Sequence, residues 1–235
     1  MSTGRVLIIQ NDATENLCLY ETFLKEKVEV DVVYAYSLKT GESFPAIEDY
    51  SAFVVGPTPI SANDVNLHPF LVKEWKYLSK IIVSEKPTLG VCCGGQILAR
   101  LLGAKVVWSP SKEVGVYTVK LTEQGRLDDL FKGFPMEFPV FHWHNEMFNV
   151  PPEGSLLVKG NPCPIQAYSW RSIRGVIFHL EIDHREAERW TNAYPAELEA
   201  VSKTKKQVVD ECREREPEMR QLAKRLVENF LLLGQ

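Results

Sequence analysis

Three short, continuous apolar runs and one β-branched, strand-like run constrain this chain most. Arg5-Val6-Leu7-Ile8-Ile9-Gln10 comes first, punctuated by Asn11 and Asp12. Val28 to Tyr34 is β-branched, Ser51 to Val55 stops at Gly56-Pro57-Thr58-Pro59, and Leu89 to Val91 follows Pro87. A strand without polar alternation is buried on both faces, as in parallel sheets covered by helices. Helical spacing fills the gaps: Leu17, Tyr20, Phe23 and Leu24 within Glu15 to Lys25, then Leu71, Trp75, Leu78 and Ile82 within Phe70 to Ile82. The alternation predicts an α/β fold of three layers, a mostly parallel open sheet with helices on both faces.

After Gly103 the texture changes. Lys105 to Trp108, Gly115 to Leu121, Phe138 to His142, Leu156 to Gly160, Ile165 to Trp170 and Gly175 to Phe178 are short strand-like runs divided by Gly and Pro. They predict added antiparallel strands on the same sheet. From His184 the chain turns helical: Arg185 to Tyr194, Pro195 to about Arg215, and Glu218 to Leu233 with the stripe Leu222, Leu226, Val227, Phe230, Leu231. Such a stripe docks a terminal helix on its own core. The expected organisation is one domain over residues 1–190, with a C-terminal helical extension over 191–235 packed on it.

The run at Pro87-Thr88-Leu89-Gly90-Val91-Cys92-Cys93-Gly94-Gly95-Gln96 reads as strand, sharp turn and helix, with a thiol at the apex. Exposed N–H groups and the positive end of the helix dipole favour a thiolate there. Glycines beside the apex allow close approach of backbone or substrate. The same run also fits a buried structural cysteine at a helix–sheet contact. A second segment bears on that choice. Arg174 to Glu181 reads as a buried strand ending in His179-Leu180-Glu181, and residues two apart on a strand share a face. A carboxylate placed so holds one imidazole nitrogen and leaves the other to take a proton from a thiol. Cys92, His179 and Glu181 are thus candidate nucleophile, base and orienter, although a His–Glu pair at a strand end also fits a surface ion pair. Gly56 ends a third strand. Its N–H and that of Cys93 are candidate oxyanion donors, while Gly56-Pro57 alone is simply a turn.

Taken together, Gly90-x-Cys92-x-Gly94-x-Gln96, His179-x-Glu181 and Gly56-Pro57 resemble the class I (triad-type) glutamine amidotransferases, from about Arg5 to Trp190. The resemblance is strongest to stand-alone members like the amidotransferase domain of GMP synthase, in which Glu113-x-Gly115 and a segment like Phe141-His142-Trp143-His144 recur. It implies a flavodoxin-like, amidotransferase-like fold and hydrolysis of a γ-glutamyl amide through a thioester on Cys92. Gln96, Trp143 and His144 would hold the glutamyl moiety, with Glu146 on its α-amino group. A separate synthase subunit is the implied partner, because the Ser-Gly-Gly-x-Asp signature of ATP pyrophosphatases is missing from the chain. Three departures bear on specificity or reactivity: Asn145-Glu146 where Gly-Asp is frequent, Leu180 for a proline, and Cys93 for a bulky apolar residue. Besides a glutaminase, a stand-alone γ-glutamyl hydrolase not acting on free glutamine and a non-catalytic binding module fit the same motifs.

Composition narrows the rest. With 27 Lys and Arg against 31 Asp and Glu, the net charge of -4 argues against nucleic acid or an anionic membrane as partner. Five scattered cysteines without C-x-x-C spacing suggest free thiols in a reducing, cytoplasmic setting. His142 and His144 are spaced as a metal pair could be, but without a third ligand at sensible spacing neither metal nor cofactor is expected.

Overall fold

The computed structural model describes residues 4–39 and 41–233; the ends of the two expected ranges, at 1–3 and 234–235, lie outside them. The elements run β1 (Arg5–Gln10), α1 (Cys18–Lys25), β2 (Glu29–Tyr34), β3 (Ala52–Val55), α2 (Pro69–Ser84), β4 (Thr88–Val91) and α3 (Cys93–Leu101). There follow β5 (Val106–Leu121), α4 (Glu123–Leu127), β6 (Glu137–Phe148), β7 (Ser155–Lys159), β8 (Ala167–Trp170) and β9 (Ile173–Val176). Helices α5 (His184–Ala193), α6 (Pro195–Ala200) and α7 (Lys205–Phe230) complete the chain. The strands form one nine-stranded sheet in the order β2-β1-β3-β4-β9-β8-β7-β5-β6.

This mixed sheet has two halves. From β2 to β9 every pairing is parallel; from β9 to β6 every pairing is antiparallel. Successive residues of a buried strand serve opposite layers. In β1, Val6 and Ile8 join the layer holding Tyr20 and Phe23 of α1, Trp190 of α5 and Leu226 of α7. Leu7 and Ile9 join the layer holding Leu78 and Ile81 of α2 and Ile97 and Leu98 of α3. The three layers follow from that alternation.

Local boundaries depart from the sequence reading in instructive ways. Helix α1 begins at Cys18 rather than Glu15, because the Asp12 carboxylate accepts the Thr14 and Glu15 N–H groups and holds the preceding loop. The two expected strands at Lys105–Trp108 and Gly115–Leu121 are one strand, β5, whose register against β6 breaks between Trp108 and Glu113. The expected break before Glu218 does not occur: α7 runs through Pro217 from a Thr204–Gln207 capping box. Pro217 is exposed. Cys212 and Met219, seven residues apart, stay on one buried stripe, so packing on both sides outweighs the missing N–H.

Candidate active site

Cys92 stands at the carboxyl end of β4, where a parallel sheet presents its loops. Its backbone lies at φ 50°, ψ -114°, a conformation few non-glycine residues adopt and one that stores strain. Its N–H donates to the Val176 carbonyl at 2.8 Å, tying the apex to the end of β9. The turn needs its glycines. A Cβ on Gly94 would fall 2.3 Å from the Val55 carbonyl oxygen, and one on Gly90 would fall 2.6 Å from the Gly95 nitrogen.

The chain past β9 delivers His179 and Glu181 to the same end. His179 exchanges two backbone hydrogen bonds with Phe141, and its ring meets the Trp190 ring edge to face at 4.9 Å. His179 Nδ1 donates to Glu181 Oε1 at 2.5 Å, with both residues buried. Among the described residues, Nε2 of the same ring has no hydrogen-bond partner. The Glu181 backbone carbonyl accepts the Leu19 N–H at 2.9 Å, so α1 is tied to the backbone that carries the carboxylate.

A cavity of about 440 Å³ opens over the thiol, and Cys92, Cys93, Gln96, Trp143, His144 and Glu146 all face it. Gln96 Nε2 donates to the Glu146 carbonyl at 3.0 Å, joining α3 to β6. The Glu146 carboxylate accepts from Ser61 Oγ at 2.7 Å and Asn63 Nδ2 at 3.2 Å. His144 Nε2 lies 3.0 Å from Glu113 Oε2, which Gln166 Nε2 also approaches at 3.4 Å.

Two expectations need correction. The Gly56 N–H donates to the Ile9 carbonyl at 2.8 Å, because the β1–β3 ladder continues one residue beyond Val55; in this conformation it is not an oxyanion donor. Pro57 has no N–H, which makes Thr58 the next donor along the chain, and Thr58 faces the cavity. The thiol is also not biased toward thiolate. Burial pushes Cys92 well above the ordinary cysteine value, Glu15, Glu181 and Glu146 add to the rise, and the Cys93 N–H opposes it only in part.

Residues missed in the sequence complete the walls. Glu15 is buried at the cavity. Tyr194 packs 6.2 Å from the Trp143 ring and faces the cavity as well. Glu15 sits in the loop after β1, at the carboxyl edge where such sites form, and that placement was the available signal.

One buried group has a metal-type donor set: Glu113, His144 and Cys163 bring one atom each within 4.8 Å of one another. Gln166 Nε2 donates to Glu113 there, His144 Nε2 is hydrogen-bonded to His142 Nδ1 at 3.1 Å, and His142 is pushed well below the ordinary histidine value by burial and by His144 and His179.

A mixed α/β sheet with a strained cysteine at its strand–helix elbow and a buried His–Glu pair at the next strand end defines a cysteine-elbow class of chain. The family model for class-I glutamine amidotransferases matches residues 7–192, and the chain belongs to that family. Its members are C–N hydrolases or amidotransferases. A glutamine amidotransferase-like protein of Salmonella typhimurium is 31% identical over 109 residues, 46% of each chain. A glutamine-hydrolysing GMP synthase subunit of Pyrococcus abyssi is 34% identical over 103 residues, 43% of this chain and 53% of the relative. The match thus spans about half the length of these curated relatives. Among solved structures, a glutamine amidotransferase from Thermotoga maritima superposes with a TM-score of 0.89 at 28% identity, covering 99% of this chain and 100% of the other.

Proposed function

We propose that this protein hydrolyses the γ-amide bond of a glutamyl substrate by nucleophilic catalysis at Cys92. His179 Nε2 takes the thiol proton as sulfur attacks the carbonyl, and Glu181 orients the ring through Nδ1. The C–N bond breaks as His179 returns the proton to the leaving nitrogen. A γ-glutamyl thioester remains. Water, deprotonated by the same imidazole, cleaves the C–S bond and restores the thiol. A raised thiol pKa fits this order of events, because the proton then leaves only when substrate and base are both in place. Oxyanion stabilisation falls to the Cys93 N–H, at the first turn of α3, together with Thr58.

The observation that carries the reading is the joint placement of a strained Cys92 over the cavity and a buried, carboxylate-held His179. Glu146, fixed by Ser61 and Asn63, suits the substrate α-ammonium, and Gln96 holds the strand that carries it. We read residues 191–235 as an extension packed on the 1–190 domain that lends Tyr194 and Glu197 to the cavity. Glutamine is the simplest substrate, and the likeness to the GMP synthase subunit of Pyrococcus abyssi supports a separate synthase chain that would receive the ammonia. The free thiols suit a reducing, cytoplasmic compartment; among the described residues no helix is long and apolar enough to cross a membrane.

Glutamate release from glutamine and γ-glutamyl-p-nitroanilide, with Cys92→Ser as control, tests the reading. Release by the wild type alone supports it. Equal release by the variant, or none by either protein with a candidate synthase added, overturns it.

A further inference from the structure

The residues lining the cavity fall into two groups of different character, which we assign to two ends. At one, Glu146 is held by Ser61 and Asn63 beside Gln96. At the other, Glu15 and Tyr194 both face the cavity, Trp143 lies against Tyr194, and Glu197 pairs with Lys112. With Glu146 satisfied by the α-ammonium of a γ-glutamyl group, the second end is left to whatever the scissile nitrogen carries. Free glutamine carries nothing there, yet cavities of ~300–1,000 Å³ hold far larger ligands, and this one is about 440 Å³.

Charge and surface decide what fits. Lys112 is already matched by Glu197, and among the described residues Glu15 has no cationic partner. Two aromatic rings, Trp143 and Tyr194, stand beside it. An ammonium on an alkyl stem satisfies both features, with the charge against the carboxyl and the ring faces and the methylenes along the rings. A second carboxylate would find Lys112 already matched by Glu197 and no other cation beside Glu15 among the described residues.

We propose that this end of the cavity selects a leaving amine that carries a second, cationic nitrogen, so that the preferred substrate is a mono-γ-glutamylated aliphatic diamine or polyamine. The proposal rests on the γ-glutamyl thioester reading above. The chemistry is unchanged: the C–N bond to the diamine breaks as the C–S bond forms, the thiol proton leaves with the amine through His179, and water then releases glutamate. Glu15 acts on specificity by holding the distal ammonium. Burial and Asp12 keep Glu15 at about 8, with Glu181 adding and Tyr194 opposing. An ammonium seated beside it stabilises the carboxylate and draws that proton off.

The test compares kcat/KM for γ-glutamylputrescine, the neutral isostere γ-glutamyl-n-pentylamide and the anionic γ-glutamyl-aminobutyrate, with glutamine alongside. The expected order is cationic over neutral over anionic, with steps on the order of tenfold. Glu15→Gln should collapse the cationic-to-neutral ratio toward one. Glu197→Gln on α6, which leaves Lys112 of β5 unmatched, should lower the same ratio and keeps the test alive if Glu15→Gln misfolds. Equal or better turnover of the neutral or anionic amide overturns the proposal. So does cleavage of glutamine with none of the three amides cleaved, and in that case the thioester reading survives. If neither glutamine nor any amide is cleaved, both fall.

Discussion

The two halves of the sheet serve the site in different ways. The parallel half delivers backbone ends: β3, β4 and β9 finish side by side, and Cys92 and the His179–Glu181 segment leave from those ends. The antiparallel half delivers a wall: β6 carries Trp143, His144 and Glu146 along its length, paired with β5. Chemistry placed at strand ends depends on tight turns, and so on particular glycines. Chemistry placed along a strand depends on register, which long pairing spreads over many residues. The halves should therefore fail differently.

The largest effect belongs to the parallel half. Cys92→Ser should reduce glutamate release by more than about a thousandfold while leaving the melting temperature within a few degrees, since Ser keeps the shape but lacks the thiol's nucleophilicity. Gly94→Ala should cost about 3 kcal/mol or more in denaturant unfolding, because its Cβ would meet the backbone oxygen of Val55. An alanine tolerated there would refute the close-approach account of the elbow.

In the antiparallel half, Glu146→Gln should raise KM on the order of tenfold with kcat less changed, the mark of lost ground-state binding. A kcat loss at constant KM would place Glu146 in the chemistry instead.

The smallest effect is on pH dependence. Burial raises both Glu74 and Glu15 from 4.5 to about 8, with the Asn11 hydrogen bond to Glu74 opposing. Between those values the folded state holds protons that the unfolded state has released. Their contribution to stability is complete below about 4.5 and is lost as pH rises through about 8. The denaturation midpoint should thus fall between about pH 6 and about pH 9, and Glu74→Gln should flatten the fall. A midpoint that rises over that range contradicts the buried, protonated state of these carboxyls.

The contrast between the halves also explains what the sequence made legible. Continuous apolar runs identify buried parallel strands, and Gly-x-Cys-x-Gly and His-x-Glu are compact because each motif sits in one turn or one strand end. The wall is dispersed: Glu15, Thr58 with Ser61, and Tyr194 come from three segments whose meeting is a tertiary fact. The Gly56 donor failed for a related reason, since Ile9, which takes its N–H, lies in a different strand. Pro217 misled in the opposite direction, because a local breaker was outweighed by the buried stripe on either side of it. Charge was legible only as a sum, and the net value of -4 did not reveal a buried acid beside the thiol.

The central claim is that Cys92 is acylated by a γ-glutamyl group. Rapid acid quench of the enzyme with labelled glutamine or γ-glutamylputrescine, followed by mass spectrometry of the peptide containing both adjacent cysteines, tests it most directly. The account predicts a γ-glutamyl thioester on Cys92, none on Cys93, and none in the Cys92→Ser protein. Label on Cys93, or glutamate release with no acylated Cys92 at any quench time, would contradict it.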